Sequence, residues 1–77
     1  MIERIVSLLP DYCKENGNIT EETSFYSDLG MSSLDFFALL GDLENEFNVE
    51  ISDKDALNLF TVGDVAKCIE EKSKWIF

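Results

Sequence analysis

Two neighbouring serines, Ser32 and Ser33, are the residues of this chain whose position best suits chemistry. They end a glycine-containing loop and begin a long helical pattern, within the segment DLGMSSLDFFALLGDLENEF. A serine nucleophile needs a general base, and the commonest one is missing because the chain has no histidine. A serine at a helix start can instead cap the helix or carry a phosphate ester, because the helix N-terminus offers free N–H donors and partial positive charge.

The residue types alone leave the roles of these two serines open. Either serine is able to cap the helix, and Ser32 with Asp35 has the spacing of a capping-box variant. On these grounds a purely structural, capping Ser33 is the favoured interpretation. In that case Ser33→Ala should cost about 1 kcal/mol of folding stability.

Composition bounds what else the chain can be. At 77 residues and 45% hydrophobic content, it has room for one folded domain, residues 1–77. Its net charge of -10 repels nucleic-acid phosphates and anionic lipid, and favours protein partners with basic patches. No apolar run approaches the roughly 20 residues of a membrane span, and the first residues, MIERIVSLLPDY, lack signal-peptide features. We therefore expect a cytoplasmic monomer that binds neither nucleic acid nor membrane.

Hydrophobic periodicity predicts an all-α fold, a small bundle of three main helices plus one short helix. The first helix is expected from Ile2 to about Lys14, with a kink or break at Pro10 and a stop at Asn16-Gly17-Asn18. Its inner stripe continues through either Tyr12 or Cys13. Its apolar positions are Ile2, Ile5, Val6 and Leu9.

The remaining helices follow from their stripes and caps. The second is expected over residues 33–47, the short one after Ser52, and the last from Thr61, with Asp64 completing a capping box. Val49 and Ile51, in the link after the second helix, are predicted to be buried. The inner stripes are Phe36, Leu39, Leu40, Leu43 and Phe47, and then Val62, Val65, Ala66 and Ile69.

Two irregular segments complete the chain. The connection over residues 18–32 shows no sustained period, and Ile19, Phe25 and Leu29 are expected to pin it to the core. We expect it to be mainly a crossover between helices that do not lie side by side. The apolar tail, residues 75–77, is expected to pack over the helix ends.

The second helix carries an additional apolar set outside its inner stripe. Leu34 and Phe37 are three residues apart, and Gly41 and Glu44 follow on the same side. One amphipathic helix does not need two apolar faces. The long loop covers this outer face, or the face is a docking surface rimmed by acidic residues.

No metal or disulfide site is predicted. Cys13 and Cys68 lie in helical patterns without framework spacing, so both are expected to stay reduced. The acidic residues Asp53, Asp55 and Asp64 lack the glycine and the bidentate glutamate of a calcium loop.

The ordered motifs from Asp28 onward resemble the acyl carrier protein family. That family has D-L-G-x-D-S-L-D at the start of its second helix, then an acidic apolar helix ending in E-F, an x-I-x-D segment and a T-V start to the last helix. Here these positions read Asp28 to Asp35 (DLGMSSLD), Glu46-Phe47, Ile51 to Asp53 (ISD) and Thr61-Val62, without a gap over about two-thirds of the chain.

The resemblance implies a carrier without catalysis of its own. Ser33 would receive a 4′-phosphopantetheine arm from coenzyme A, attached by a phosphopantetheinyl transferase with magnesium. Enzymes of the acyl-transferring, ketosynthase or ligase type would recognise the second helix, and an acyl chain would enter the bundle interior. The recognition residues it implies are Leu34, Asp35, Phe37, Gly41 and Glu44, and the lining of the acyl site is Leu39, Leu43 and Ile51.

Departures from the family pattern limit how far the resemblance fixes the pathway. Ser32 replaces the usual aspartate, Ala38 and Asn45 stand where acids are common, and Phe36 with Phe37 makes the helix bulkier. We expect a dedicated carrier for polyketide or specialised lipid assembly rather than the general fatty-acid carrier. Three alternatives stay open: modification at Ser32, an aminoacyl or peptidyl carrier, and an unmodified acidic interaction module.

Overall fold

A computed structural model describes residues 1–14 and 17–73. Over these ranges the chain is helical without a strand, and the all-α prediction is confirmed. The expected packing of the tail and the Asn16 part of the first helix stop lie outside the described residues. The helices are α1 (Ile2–Ser7), α2 (Asp11–Lys14), α3 (Ser33–Phe47), α4 (Asp53–Ala56) and α5 (Val62–Ser73), and α1 packs against α5.

Pro10 divides the predicted first helix into α1 and α2. The amide of Cys13 donates to the carbonyl of Pro10 at 3.0 Å, so Pro10 directly precedes the first turn of α2. A proline is tolerated at such a position because its missing N–H has no partner there in any case. The break also settles which residue continues the inner stripe. Cys13 is fully buried, whereas Tyr12 is 44% exposed.

The core consists of the predicted stripes together with residues of the long loop. Phe47 is half-buried beneath the guanidinium of Arg4, which lies 5.4 Å from its ring centre. Val49 and Ile51 are half-buried, so the prediction that they are buried is wrong; they pack on the edge of the core. The buried residues are Ile5, Leu9, Cys13, Phe25, Leu29, Met31, Phe36, Leu39, Leu40, Leu43, Leu59, Val62, Val65, Ala66 and Ile69.

The long loop is pinned by its own apolar side chains, as predicted. Phe25 and Leu29 are buried and Ile19 is half-buried. Met31, which periodicity did not identify, is buried with them. The ring centre of Phe25 lies 5.0 Å from that of Phe36, so the loop contacts α3 directly. This packing explains why a segment without regular structure keeps a defined path.

Backbone hydrogen bonds fasten the same loop to the start of α5. The amide of Val62 donates to the Thr23 carbonyl at 3.0 Å, and the amide of Gly63 to the Glu21 carbonyl at 2.9 Å. In return, the amide of Phe25 donates to the Phe60 carbonyl at 3.0 Å. The first amides of a helix have no partner within it, so the loop carbonyls supply what α5 lacks.

Capping boxes close the starts of α4 and α5. The Thr61 hydroxyl accepts from the Asp64 amide, and the Asp64 carboxylate accepts from the Thr61 amide, both at 3.1 Å. The predicted capping box is therefore confirmed. The Asp64 carboxylate also accepts from the Phe60 amide at 3.1 Å, and these backbone donors lower the pKa of Asp64. Ser52 and Asp55 form the corresponding box at α4.

Gly63→Ala should destabilise the fold, against the usual gain from replacing a helical glycine. A Cβ at position 63 would lie 2.9 Å from the Glu21 carbonyl oxygen, a backbone atom that moves only if the loop moves. We expect a loss of about 1–3 kcal/mol in urea denaturation. The matched control is Gly41→Ala, whose Cβ would meet nothing within 4 Å and which should gain about 0.5–1 kcal/mol. A gain in both variants would contradict the close approach of loop and helix.

Asp64→Asn should cost stability near neutral pH and progressively less in acid. The pKa of Asp64 is lowered in the folded protein, so its contribution is present above the ordinary value of 3.8 and is lost as pH falls through the folded value. The asparagine resembles the protonated acid, and we expect a cost of about 0.5–1 kcal/mol at neutral pH. Urea unfolding of both proteins over a pH series measures the difference. A difference that stays constant below pH 3.8 would contradict this role.

Candidate functional site

Ser32, and not Ser33, caps α3. Its backbone is extended, and its hydroxyl accepts from the Asp35 amide at 3.2 Å. Its carbonyl accepts the first helical bond, from the Phe36 amide at 2.9 Å. The return bond of a capping box, from the Ser32 amide to the Asp35 carboxylate, is not formed among the described residues. The expected capping-box variant is thus only half present.

Ser33 is the first residue of α3 and is exposed. Its hydroxyl makes no hydrogen bond in the part of the chain that the structure describes. The favoured interpretation of Ser33 as a cap is therefore wrong, because Ser32 already supplies the acceptor. The amides of Ser33 and Leu34 precede the first helical bond, so the helix start keeps free donors beside an unengaged hydroxyl.

The backbone ahead of the serines is fixed by a glycine turn. Gly30 has φ +68°, a left-handed conformation that side chains disfavour. The Met31 amide then donates to the Phe25 carbonyl at 3.0 Å. Further back, the Asp28 carboxylate accepts from the Ser24 amide at 2.7 Å. These contacts hold the DLGMSS segment so that Ser33 is presented at the surface.

The predicted outer face of α3 is open to solvent at its beginning. Leu34 is 82% exposed and Phe37 is 53% exposed. The long loop packs instead on Phe36, so it does not cover these two residues. Gly41 is half-buried, with space around its Cα for a methyl group. Asp35 is also half-buried.

Glu44 differs from the rest of that predicted face. It is half-buried, and its carboxylate accepts from the Ile51 amide at 3.0 Å. Its carbonyl accepts from the Val49 amide at 3.2 Å, past a left-handed Asn48 with φ 54°. Glu44 thus holds the link after α3 in place.

The three residues predicted to line an acyl site lie in and at the edge of the core. Leu39 and Leu43 are 2% and 0% exposed, and Ile51 is half-buried. Ile51 packs against the same core cluster that contains the two leucines. The three side chains therefore belong to, or pack against, one hydrophobic core on the inner face of α3.

Tyr12 is a site residue for which the sequence pattern gave no signal. Its hydroxyl donates to the Asp35 carboxylate at 2.5 Å, across 23 positions of sequence. This bond raises the pKa of Tyr12 to about 12, so the phenol stays a donor at neutral pH. Periodicity left Tyr12 and Cys13 as alternatives for the core. A contact between two separate helices has no signal in the spacing of either one.

Other kinds of site find no support among residues 1–14 and 17–73. No group of acidic, cysteine or histidine side chains there could hold a metal ion. Cys13 and Cys68 are not joined by a disulfide, and burial raises the pKa of both thiols. No described helix has the length and apolar character to cross a membrane.

Ser32→Ala should lose more folding stability than Ser33→Ala. A capping Ser33 would give the reverse order. The first substitution removes the acceptor of the Asp35 amide and should cost about 1 kcal/mol. The second removes an unengaged hydroxyl and should change stability by less than about 0.5 kcal/mol. Urea denaturation of the two variants beside the wild type measures both. An equal or larger cost for Ser33→Ala would contradict the assignment of the cap.

Comparison with known proteins matches this geometry to a family. Residues 3–69 match the family model described as the phosphopantetheine attachment site. A Mycobacterium tuberculosis protein assigned as an acyl carrier protein is 36% identical, with 91% of this chain and 95% of that chain covered and a TM-score of 0.80. An acyl carrier protein of Thermotoga maritima shares the fold, with a TM-score of 0.77 at 23% identity over 97% of this chain and 92% of that one.

The match to the family model covers most of the chain, and the M. tuberculosis relative is aligned over nearly its whole length. Domains of this family carry a covalently attached 4′-phosphopantetheine. The chain therefore belongs to the phosphopantetheine-attachment family, in the group of the acyl carrier proteins.

Proposed function

We propose that Ser33 carries the 4′-phosphopantetheine arm and that the chain delivers acyl intermediates between enzymes of fatty-acid, polyketide or related lipid synthesis. The observation that carries this proposal is the exposed, unengaged hydroxyl of Ser33 at the first position of α3. A transferase needs such a hydroxyl, within reach and not committed to the fold. Family membership supplies the kind of group that is attached.

The neighbouring Ser32 is the weaker candidate for attachment. Its hydroxyl accepts from the Asp35 amide and so completes the start of α3. An ester on that oxygen would crowd the amide and weaken the cap. Ser33 has no such structural task, which supports the assignment between two adjacent serines.

The start of α3 also suits the phosphodiester that the arm would bring. The amides of Ser33 and Leu34 have no partner in the helix, and the helix dipole adds partial positive charge at this end. The acidic side chain in the first turn of the helix, Asp35, is engaged with Tyr12. When bound, the arm would supply a terminal thiol that holds acyl groups as thioesters.

The chain itself is proposed to catalyse nothing. It has no histidine, and its site offers an unactivated serine hydroxyl. Attachment and acyl transfer would then be the work of partners: a phosphopantetheinyl transferase, and enzymes of the acyl-transferring, ketosynthase or ligase type. The protein's part is to present the attachment point on a rigid helix start.

The surface that those partners would contact begins beside Ser33. Leu34 and Phe37 expose apolar side chains, with Asp35 and Gly41 on the same helix. The net charge of -10 favours partners with basic patches around an apolar centre. Glu44 joins this surface only in part, because its carboxylate is bonded to the Ile51 amide.

We propose that an acyl cargo would pack against the apolar core residues on the inner face of α3. Leu39, Leu43 and Ile51 would contact an acyl chain that entered between the helices. Ile51 is the accessible member of this set, because it is half-buried whereas both leucines are buried. An aliphatic cargo is the kind that such a lining favours.

A dedicated carrier fits the surface of α3 better than a general one. Ala38 and Asn45, which replace acids common in the family, are both exposed, so the helix presents less negative charge to its partners. Phe37 adds an exposed aromatic ring, whereas Phe36 is buried and contributes to the core. We therefore favour polyketide or specialised lipid assembly as the pathway.

The test is the intact mass of the protein after incubation with coenzyme A, magnesium and a broad-specificity phosphopantetheinyl transferase. We expect the wild type to gain one phosphopantetheine and Ser33→Ala to gain none. Ser32→Ala is the matched control and should still be modified, because it keeps the exposed hydroxyl of Ser33. Both alanine variants should remain folded by circular dichroism.

Each of the other outcomes would support a different role for this chain. Modification of Ser33→Ala but not of Ser32→Ala would move the attachment point to Ser32. No gain on the wild type with several transferases would favour an unmodified acidic interaction module. Charging of the modified form by an adenylating enzyme with an amino acid would make it an aminoacyl carrier.

A further inference from the structure

The starts of three helices have the same sequence pattern but not the same bonds. Ser52 with Asp55, and Thr61 with Asp64, close complete capping boxes in which the carboxylate accepts from the cap amide. Ser32 and Asp35 have the same residue types at the same spacing as the first pair. Of the two hydrogen bonds of a capping box, this pair forms only the one from the Asp35 amide to the Ser32 hydroxyl.

The difference at α3 is the contact with Tyr12. The Asp35 carboxylate accepts from the Tyr12 hydroxyl at 2.5 Å through Oδ2. The Ser32 amide, which would be its partner in a closed box, donates no hydrogen bond among the described residues. Oδ1 of Asp35 likewise accepts none there. Tyr12 thus replaces a local bond within α3 by a bond to α2.

The helix that carries Tyr12 is held firmly enough for this purpose. Cys13, the next residue, is fully buried, and its thiol lies 3.9 Å from the Leu29 carbonyl. The Lys14 ammonium donates to the Ser7 carbonyl at 3.3 Å across the Pro10 break. Tyr12 therefore reaches Asp35 from an element that is packed against the loop leading to Ser33.

A carboxylate in this position has a specific use. Asp35 lies two residues after Ser33, on the helix turn where an enzyme must approach to modify that serine. A freely rotating carboxylate loses conformational freedom when it pairs with a cation, and one held in place loses less. A hydrogen bond to a charged group is also stronger than one between neutral groups, so the Tyr12 hydroxyl is a suitable donor for holding this carboxylate.

Resting on the proposed function, we propose that Tyr12 is a positioning residue for the loading of Ser33. It diverts the Asp35 carboxylate from the cap of α3, so that its second oxygen pairs with a basic side chain of the phosphopantetheinyl transferase. The role belongs to encounter and binding, and not to the chemical step. Its signature is a change in KM without a matching change in stability.

The experiment measures transferase kinetics on Tyr12→Phe, with the carrier as the varied substrate. We expect KM to rise about threefold to tenfold while kcat stays within about twofold. The same substitution in an Asp35→Asn background should have no further effect, because the two residues act through one bond. The matched control is Tyr26→Phe, since Tyr26 is 41% exposed and its hydroxyl has no hydrogen bond among the described residues.

A second readout follows the carboxylate itself. In Tyr12→Phe, Asp35 should turn back and accept from the Ser32 amide, as Asp55 and Asp64 do at their helices. The Ser32 amide proton should then exchange with solvent more slowly than in the wild type, where this amide donates no hydrogen bond among the described residues. Urea stability of the variant should be unchanged or slightly higher, because the capping box closes.

The contrary results are equally definite. An unchanged KM, or a KM rise that persists in the Asp35→Asn background, would overturn the positioning role. So would a loss of stability large enough to account for the slower loading. If the wild type is not loaded at all, the proposed function fails first, and the exchange rate of the Ser32 amide in Tyr12→Phe still decides whether Tyr12 diverts Asp35.

Discussion

The hydrogen bond from the Asp35 amide to the Ser32 hydroxyl determines what the neighbouring residue is able to do. A helix start must find acceptors for its first amides, and a serine that serves as one is committed to the fold. Because Ser32 takes this task, Ser33 enters α3 with an exposed and unengaged hydroxyl. The fold and the candidate function are thus divided between two adjacent residues of the same type.

That helix start is in place only because the long loop is in place. The loop reaches the serines through the left-handed Gly30, after Phe25 has packed against Phe36. Its other half is fastened to α5, where the Glu21 and Thr23 carbonyls accept helix amides. A segment without secondary structure therefore joins the two longest helices through backbone bonds and buried rings. The backbone that leads to the site is therefore held by contacts with both helices.

Patterns within one element, and the apolar residues that pin the long loop, were predictable from sequence, whereas specific polar and backbone contacts between elements were not. The stripes of α3 and α5 and the Thr61–Asp64 box follow from local spacing, and the structure confirms them. The clash at Gly63, the bond from Glu44 to the link and the bond from Tyr12 to Asp35 depend on what another segment brings near. The cap of α3 is a different case. Either serine is able to cap the helix, but only Ser32 has an acidic residue three positions later, and that local spacing already favoured Ser32.

The measurement that tests the central claim most directly is fragmentation mass spectrometry of the peptide containing both serines, from protein made together with its own transferase. We predict a single phosphopantetheine, and every fragment that separates the two residues should place it on Ser33. An arm located on Ser32 would contradict the division of tasks between cap and attachment point. A peptide that stays unmodified, beside a transferase that loads another carrier in the same cells, would contradict the carrier role itself.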